Sequence, residues 1–263
     1  MTSTLVRIDQ LPPAATYCLR LGDDALVMAQ RLGEWLARTP QIEEDMALGN
    51  IGLDLIGQAR SLLTRAGELS AEAGGPAYTE DDLAYWRDER SFTNVQLVEQ
   101  ERGDFAVTMV RLLVLATWQS HLYAALSASA DPVVSAIAAK AVKEVTYHQD
   151  HARQWTLRLG LGTELSRAKM VDALAVVAPF VQELFDDDGL VETLAAQGVA
   201  VLPSSLRDPV QESIAAVLAE AGLSWPEATW RSRGGRSGLH STAMGFLLAE
   251  MQHLARSHPG ATW

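Results

Sequence analysis

The segment that most constrains this chain runs from Glu43 to Arg65, because it carries two stripes of residues at helical spacing. The apolar stripe consists of Leu48, Ile51, Leu55 and Leu62. The polar stripe beside it consists of Asn50, Asp54, Gln58 and Ser61. This pattern predicts a buried helix with one inward-pointing carboxylate, Asp54, and therefore a bundle of helices around it.

The same segment contains three mid-helix glycines, Gly49, Gly52 and Gly57. A glycine inside a helix costs roughly 1 kcal/mol relative to alanine. Three of them in one helix indicate that another backbone packs very close to it.

Helical patterns continue along the chain, and we find neither the alternating pattern of strands nor a repeat of fixed period. The predicted helices cover residues 16–38, 43–72, 104–130, 133–159, 164–185, 190–196, 208–221 and 239–255. Pro179 predicts a kink in the fifth of these. Two long hairpins joined by a crossover predict an all-α fold, a ferritin-like four-helix bundle with additional C-terminal helices.

We expect a single ferritin-like helical domain over residues 1–263. Within it, residues 1–15 are predicted to be a flexible N-terminus, residues 16–160 the core bundle, and residues 161–263 additional packed helices.

Composition excludes several classes of protein. The net charge of -12 argues against a nucleic-acid partner, which requires clustered Lys and Arg. The single cysteine, Cys18, excludes an intramolecular disulfide framework and favours a reducing compartment. No run approaches the ~18 consecutive apolar residues of a membrane span, and the N-terminus lacks the pattern of a secretory signal. We therefore expect a cytoplasmic protein with no membrane and no nucleic-acid partner.

A ferritin-like bundle can hold two metal ions with one carboxylate from each of two helices and a Glu-x-x-His pair from each of the other two. The corresponding positions here are Asp24, Asp54, Gly57, Ala116, Glu144, Tyr147 and His148. Three carboxylates remain, but Gly57 and Tyr147 stand where the histidines should be, and the third helix has no acid around Ala116. We therefore predict a degenerate site, with no catalytic residue and no metal or other cofactor bound by this chain.

Two interpretations of the remaining carboxylates stay open. The first is a buried polar network, because buried carboxylates persist only when they are paired or hydrogen-bonded. Its candidate partners are Arg20, Arg31, Asn50, Gln58 and Tyr147. The second is a self-sufficient metal-dependent oxidase that uses the residual ligands on the first, second and fourth helices.

The fourth helix also carries Glu144, His148 and His151 on one face, and His121 of the third helix could approach them. These are the donor types of a mononuclear zinc or iron site. Trp155 continues the same stripe, however, which favours histidines that serve packing or an interface.

One segment concentrates basic residues in this acidic chain, and it contains Arg231, Arg233, Arg236 and His240. Its glycines let backbone N–H groups turn toward an anion, and the helix that follows adds its positive end. We predict an anion- or partner-binding loop here, and the alternative is a flexible, solvated turn.

Several segments carry a resemblance to a known family. They are residues 17–24 (YCLRLGDD), 30–35 (QRLGEW), 47–60 (ALGNIGLDLIGQAR), 87–90 (RDER), 97–100 (LVEQ), 143–148 (KEVTYH), 183–186 (ELFD), 234–240 (GGRSGLH) and 248–252 (LAEMQ). With them, the chain from about residue 17 to 263 resembles the C subunit of the bacterial ring-1,2-phenylacetyl-CoA epoxidase, the PaaC family.

The resemblance implies a non-catalytic structural subunit of a multicomponent oxygenase. It implies three partners: a catalytic A subunit that holds the di-iron centre and the substrate, a small B subunit, and a reductase that delivers electrons from NADPH. The complex would use O2 to convert phenylacetyl-CoA to its ring-1,2-epoxide during aerobic phenylacetate degradation. The missing ligands at Gly57, Ala116 and Tyr147 agree with a non-catalytic role for this chain.

Overall fold

A computed structural model of the chain describes residues 6–261, and these contain α-helices, short 3-10 turns and connections, with no β-strand. The α-helices are α1 (Pro13–Gly33), α2 (Ile42–Glu72), α3 (Glu80–Tyr85), α4 (Gln96–Glu99), α5 (Phe105–Leu126), α6 (Pro132–Gly160), α7 (Glu164–Val177), α8 (Gly189–Ala196), α9 (Arg207–Glu220) and α10 (Thr242–Ser257). The four longest, α1, α2, α5 and α6, have 21, 31, 22 and 29 residues. The predicted all-α, ferritin-like fold class is confirmed.

Local signals in the sequence set the ends of the long helices. The Asp104 side chain accepts from the Val107 N–H at 3.1 Å and caps α5. Asp131 caps α6 in the same way, and Pro132 occupies the first helical position, where its missing N–H costs nothing.

The first helix ends at Gly33, five residues before the predicted end at residue 38. Ala37 adopts a left-handed φ of 60°, and its N–H donates to Asp45 Oδ1 at 2.7 Å. This hydrogen bond holds the segment between α1 and α2 against the first turn of α2, so α1 does not extend through residues 34–38. Of the N-terminus predicted to be flexible, residues 1–15, residues 1–5 lie outside the described residues. Residues 8–10 form a 3-10 turn, and α1 begins at Pro13, three residues before the predicted start, because proline is favoured in the first helical turn.

The chain divides into two compact units. Unit 1 comprises Met1–Glu101 and Gly234–Trp263, and in it α1 and α2 form a hairpin that contacts α3, α4 and α10. Unit 2 comprises Arg102–Arg233, and in it α5 and α6 form a second hairpin that contacts α7 and α9. The C-terminal helices therefore pack on a hairpin in each unit, while the single domain over residues 1–263 stays a prediction.

The apolar stripe of α2 is buried as predicted, since Leu48, Ile51, Leu55 and Leu62 are all at most 1 % exposed. A Cβ added at Gly52 would lie 3.9 Å from the carbonyl oxygen of Ala29, so this glycine does face the backbone of α1. At Gly57 no atom of the described residues lies within 4 Å of such a Cβ, so none of them makes the close approach predicted there.

The polar stripe of α2 is not the buried stripe that its sequence predicts. Gln58 is buried, but Asp54 is half-exposed, and Asn50 and Ser61 are exposed. The Ser61 hydroxyl donates to the carbonyl oxygen of Gly57 at 2.9 Å, within its own helix. The stripe lies toward solvent because the buried face of α2 is centred on its leucines.

The kink predicted at Pro179 concerns α7 of unit 2. α7 ends at Val177, and the 3-10 turns Ala178–Phe180 and Gln182–Phe185 follow, so Pro179 ends the α-helix and does not merely kink it.

α5 has the length and composition of a membrane span, and 78 % of its most apolar window is buried within the chain. The core helix of a folded domain passes the same test.

Candidate functional site

Two adjacent carboxylates, Asp23 and Asp24, lie buried in the middle of α1. Both residues are at most 1 % exposed, and the helix is buried around its whole circumference here, since residues 21–25 are all buried. Consecutive side chains on a helix point about 100° apart, so the two carboxylates face different neighbours. Because a buried carboxylate is costly unless it is paired and hydrogen-bonded, each needs its own set of partners.

Arg87 is the partner of Asp23, and both side chains are fully buried. Its Nη1 donates to Asp23 Oδ2 at 2.9 Å, and its Nη2 donates to Oδ1. The backbone N–H and the hydroxyl of Thr93 also donate to Oδ2, at 2.8 and 2.9 Å. Arg87 donates further to the carbonyl oxygens of Leu83 and Ser91, so each of its three guanidinium nitrogens donates a hydrogen bond.

Arg236 is the partner of Asp24. Its Nη2 donates to Oδ2 at 2.7 Å and its Nη1 donates to Oδ1 at 3.0 Å, while the Val95 N–H donates to Oδ1 at 2.9 Å. Burial raises the pKa of the Asp24 carboxyl to about 6, against the opposing effects of the Arg236 charge and these hydrogen bonds. The guanidinium also donates to the carbonyl oxygens of Arg20 and Thr93, at 3.1 and 3.0 Å.

A third buried carboxylate, Glu99, pairs with His240, and both side chains are fully buried. His240 Nδ1 lies 2.6 Å from Glu99 Oε2, and Nε2 lies 3.0 Å from the carbonyl oxygen of Phe92. Both ring nitrogens therefore face oxygen acceptors, an arrangement that favours the doubly protonated imidazolium. Burial lowers the pKa of His240, but the hydrogen bond and charge of Glu99 outweigh it, and the pKa is raised above its ordinary 6.5.

Arg31 joins Glu99 through the backbone. Its Nε and Nη2 donate to the carbonyl oxygen of Glu99 at 3.1 and 2.7 Å, and Nη2 also donates to that of Ala243 at 3.1 Å. Its Nη1 donates to Glu34 Oε1 at 2.5 Å. This arginine therefore holds α4 and the first turn of α10 against α1.

We call these side chains the ionic cluster, which consists of Asp23, Asp24, Arg31, Arg87, Glu99, Arg236 and His240. They come from α1, from the segment that joins α3 to α4, from α4, and from the segment that precedes α10. The family-like segments 17–24, 87–90, 97–100 and 234–240 supply all of them except Arg31, which lies in segment 30–35. Because its carboxylates and guanidinium groups bond to one another and to buried backbone groups, the cluster fastens two connecting segments to α1.

The predicted anion- or partner-binding loop, residues 231–240, is called the basic loop. Two of its glycines let it reach the ionic cluster. Gly234 and Gly238 have φ values of 94° and 74°, on either side of the 3-10 turn Gly235–Ser237 that carries Arg236. A Cβ at Gly238 would overlap the carbonyl group of Arg90, so a side chain there would push the loop away. Two predicted ligand-binding residues of the loop, Arg236 and His240, thus contact carboxylates of their own chain.

The other two residues of that loop belong to unit 2 and are exposed. Arg231 Nη1 lies 3.8 Å from Asp186 Oδ1, with both side chains more than 40 % exposed. For Arg231 and Arg233, anion or partner binding stays a prediction.

The degenerate metal positions are described separately for each unit. In unit 1, Asp24 is bonded to Arg236, Asp54 is half-exposed, and Gly57 adjoins open space. The buried network predicted from the sequence therefore exists around Asp24, but its cation is Arg236, and the burial predicted for Asp54 is wrong. A guanidinium in contact with Asp24 opposes a cation there, so these residues do not fit a metal centre.

In unit 2, Lys140 Nζ lies 3.2 Å from Glu144 Oε1, and Ala116 is buried. Tyr147 is 47 % exposed, with its ring centroid 6.3 Å from that of the fully buried His148 and 6.1 Å from that of His151. Between residues 6 and 261, no group of three or more His, Cys, Asp or Glu side chains is arranged to hold a metal ion.

Sequence reasoning missed the roles of Asp23, Arg87 and Glu99. The signal for the first was present, because two adjacent acids interrupt a helix whose neighbouring residues, such as Leu21 and Ala25, are apolar. Such acids require buried cations. Nothing local identifies which arginine supplies them.

Comparison with known proteins agrees with the resemblance. Residues 6–263 match the family of phenylacetic acid catabolic proteins, PaaA_PaaC. The chain is also 46 % identical over 247 residues to the C subunit of the 1,2-phenylacetyl-CoA epoxidase of Escherichia coli (strain K12). That match covers 94 % of this chain and 98 % of the relative. Since the family match spans nearly the whole chain, this protein belongs to the phenylacetic acid catabolic protein family, PaaA_PaaC.

Proposed function

We propose that this chain is a non-catalytic structural subunit of a cytoplasmic phenylacetyl-CoA epoxidase complex in aerobic phenylacetate degradation. It pairs with and supports a catalytic A subunit that holds the di-iron centre, and a small B subunit and a reductase complete the complex. The 46 % identity to a protein named as the C subunit of such an epoxidase supports this proposal.

The observation that carries the non-catalytic role is the ion pair between Asp24 and Arg236. Asp24 stands at the position of the first ligand, and its two oxygens accept three hydrogen bonds from Arg236 and the Val95 N–H. A metal ion bound there would have to displace the guanidinium, leaving that cation unpaired in a site where only 20 % of the arginine side chain is exposed. The residue that a di-iron protein uses for its metal is used here to anchor a loop.

Two measurements test this function. Elemental analysis of the chain purified alone, after exposure to iron, should find no stoichiometric iron, manganese or zinc, whereas the complex purified with the A subunit should contain iron. Stoichiometric metal in the isolated chain would instead support the self-sufficient oxidase. Size-exclusion chromatography at micromolar concentration should show the two subunits eluting together, and separate elution would contradict a structural role.

A further inference from the structure

α2 has two apolar faces, and the described part of the chain covers one of them. The buried face contains Leu48, Ile51 and Leu55, which lie within about 60° of one another around the helix axis. Four more large apolar residues form a second face, centred roughly 150° away and about 80° wide: Ile42, Met46, Leu53 and Ile56. These four are 74, 67, 66 and 47 % exposed.

The spacing of the exposed residues is that of a helix-packing seam. They are separated by four, seven and three positions, so they form a straight stripe about 21 Å long, at 1.5 Å per residue. Gly49 lies within the stripe and Gly57 beside its end. A Cβ added at Gly49 would approach only Leu36, at 3.8 Å, and one at Gly57 would meet nothing within 4 Å. We call Ile42, Met46, Gly49, Leu53, Ile56 and Gly57 the α2 stripe.

The glycines of the α2 stripe mark a place where another backbone can come close. Gly52, on the covered side of α2, faces the backbone of α1, but Gly49 and Gly57 face no backbone among residues 6–261. Each mid-helix glycine weakens the isolated helix, and the missing side chains leave shallow grooves between exposed apolar residues. A helix from another polypeptide can fill grooves of this kind.

The charged residues around the α2 stripe favour one kind of binding partner. Glu43 and Asp45 flank the start of the stripe and Asp54 follows Leu53, whereas Arg60, one turn beyond Ile56, pairs with Glu80 at 3.1 Å and has a side chain 73 % exposed. A second copy of the chain would join two molecules of net charge -12, which opposes their association. The stripe therefore fits a different protein, with an apolar helix bordered by Lys or Arg.

We infer that the α2 stripe is the docking surface for a basic-edged helix of the catalytic A subunit. This inference rests on the proposed function, because it takes the partner from it. Leu53, which lies between the two glycines of the stripe, inserts between side chains of the partner helix, and Gly57 lets that helix approach closely.

Binding of purified A subunit to the isolated chain, measured by titration calorimetry, tests the inference. Leu53→Asp places a charge inside the stripe and should weaken binding at least about ten-fold. Leu165→Asp is its control, because Leu165 on α7 is 68 % exposed against 66 % for Leu53. Gly57→Leu should also weaken binding, and its control is Gly189→Leu, since neither glycine has an atom within 4 Å of an added Cβ.

The outcomes separate the inference from the function on which it rests. If the wild-type chain does not bind the A subunit, the proposed function fails. If the wild type binds and both α2 variants bind equally well, docking lies elsewhere and only the inference is overturned. If the α2 variants lose self-association while their binding of the A subunit is unchanged, the stripe joins two copies of this chain, which also overturns it. Circular dichroism of each variant confirms that it is folded.

Discussion

Arg236 forms a bidentate ion pair with Asp24, although the two residues are 212 positions apart in sequence. Arg236 Nη2 lies 2.7 Å from Asp24 Oδ2, and Arg236 Nη1 lies 3.0 Å from Asp24 Oδ1. The carboxylate is almost fully buried, and the arginine side chain is 20 % exposed. Since the same guanidinium reaches the carbonyl oxygens of Arg20 and Thr93, it ties α10's leading segment both to α1 and to the α3–α4 connection. The stability of unit 1 should therefore depend on this pair.

Replacing Arg236 with methionine should destabilise the protein strongly. The substitution keeps an unbranched apolar stem but leaves Asp24 buried without its cation, which costs about 3–5 kcal/mol. Urea denaturation followed by circular dichroism measures the loss. The double variant Asp24→Leu/Arg236→Met should lose less than Arg236→Met alone, because it leaves no uncompensated charge.

Arg231→Met provides the control for that substitution. The Arg231–Asp186 pair is 3.8 Å long, and both side chains are more than 40 % exposed, so its removal should change the free energy of unfolding by less than about 1 kcal/mol. Equal losses in Arg231→Met and Arg236→Met would contradict a special role for the buried pair.

Asp24 should make the protein more stable in mild acid. Its folded pKa of about 6 lies above its ordinary value of 3.8, so the folded state binds a proton that the unfolded state has already released between about pH 4 and 6. The contribution is complete below pH 4 and is lost as the pH rises through 6, and the shift corresponds to about 3 kcal/mol. Free energies of unfolding measured from pH 4 to 7 should fall more steeply for the wild type than for Asp24→Asn, and parallel curves would contradict the shift.

The sequence predicts the helices well because their signals are local. The apolar stripe of α2, the aspartates that precede α5 and α6, and Pro132 each act within a few residues of the boundary or face that they determine. The end of α1 was predicted five residues too late because its cause is not local. The Ala37 N–H donates to Asp45 in the next helix, and that contact exists only once the hairpin has formed.

The partners in the ionic cluster could not be predicted for the same reason. A buried carboxylate at Asp24 demands a cation, but the sequence does not choose between Arg20, four positions away, and Arg236, more than 200 positions away. The basic loop looked like a ligand site because Arg236 carries a charge and lies among glycines. Those glycines instead turn the chain so that Arg236 meets Asp24.

His240 should add a second pH dependence at higher pH. Burial lowers its pKa, but Glu99 raises it more, so the folded value lies above the ordinary 6.5. A group of this kind stabilises fully below pH 6.5, and its contribution is lost as the pH rises through the folded pKa. The wild type should therefore lose stability above pH 6.5 relative to His240→Gln, whose side chain does not titrate.

Proton NMR of the imidazole resonances checks this directly. The resonance that disappears in His240→Gln should titrate above pH 6.5 in the wild type, and a midpoint below 6.5 would contradict the pairing with Glu99. His253→Gln, at an exposed position of α10, is the control and should leave that resonance in place.

Two glycines of α2 should respond in opposite directions to the same substitution. Both Gly57 and Gly67 lie in the helix interior, so alanine at either position gains up to about 1 kcal/mol of helix propensity. Gly57→Ala should show this gain in the isolated chain, because no atom lies within 4 Å of the new Cβ. Gly67→Ala should destabilise, because its Cβ would overlap the carbonyl oxygen of Tyr78. Thermal unfolding of both variants measures the difference, and a loss of stability in Gly57→Ala would show that the space beside it is filled before any partner binds.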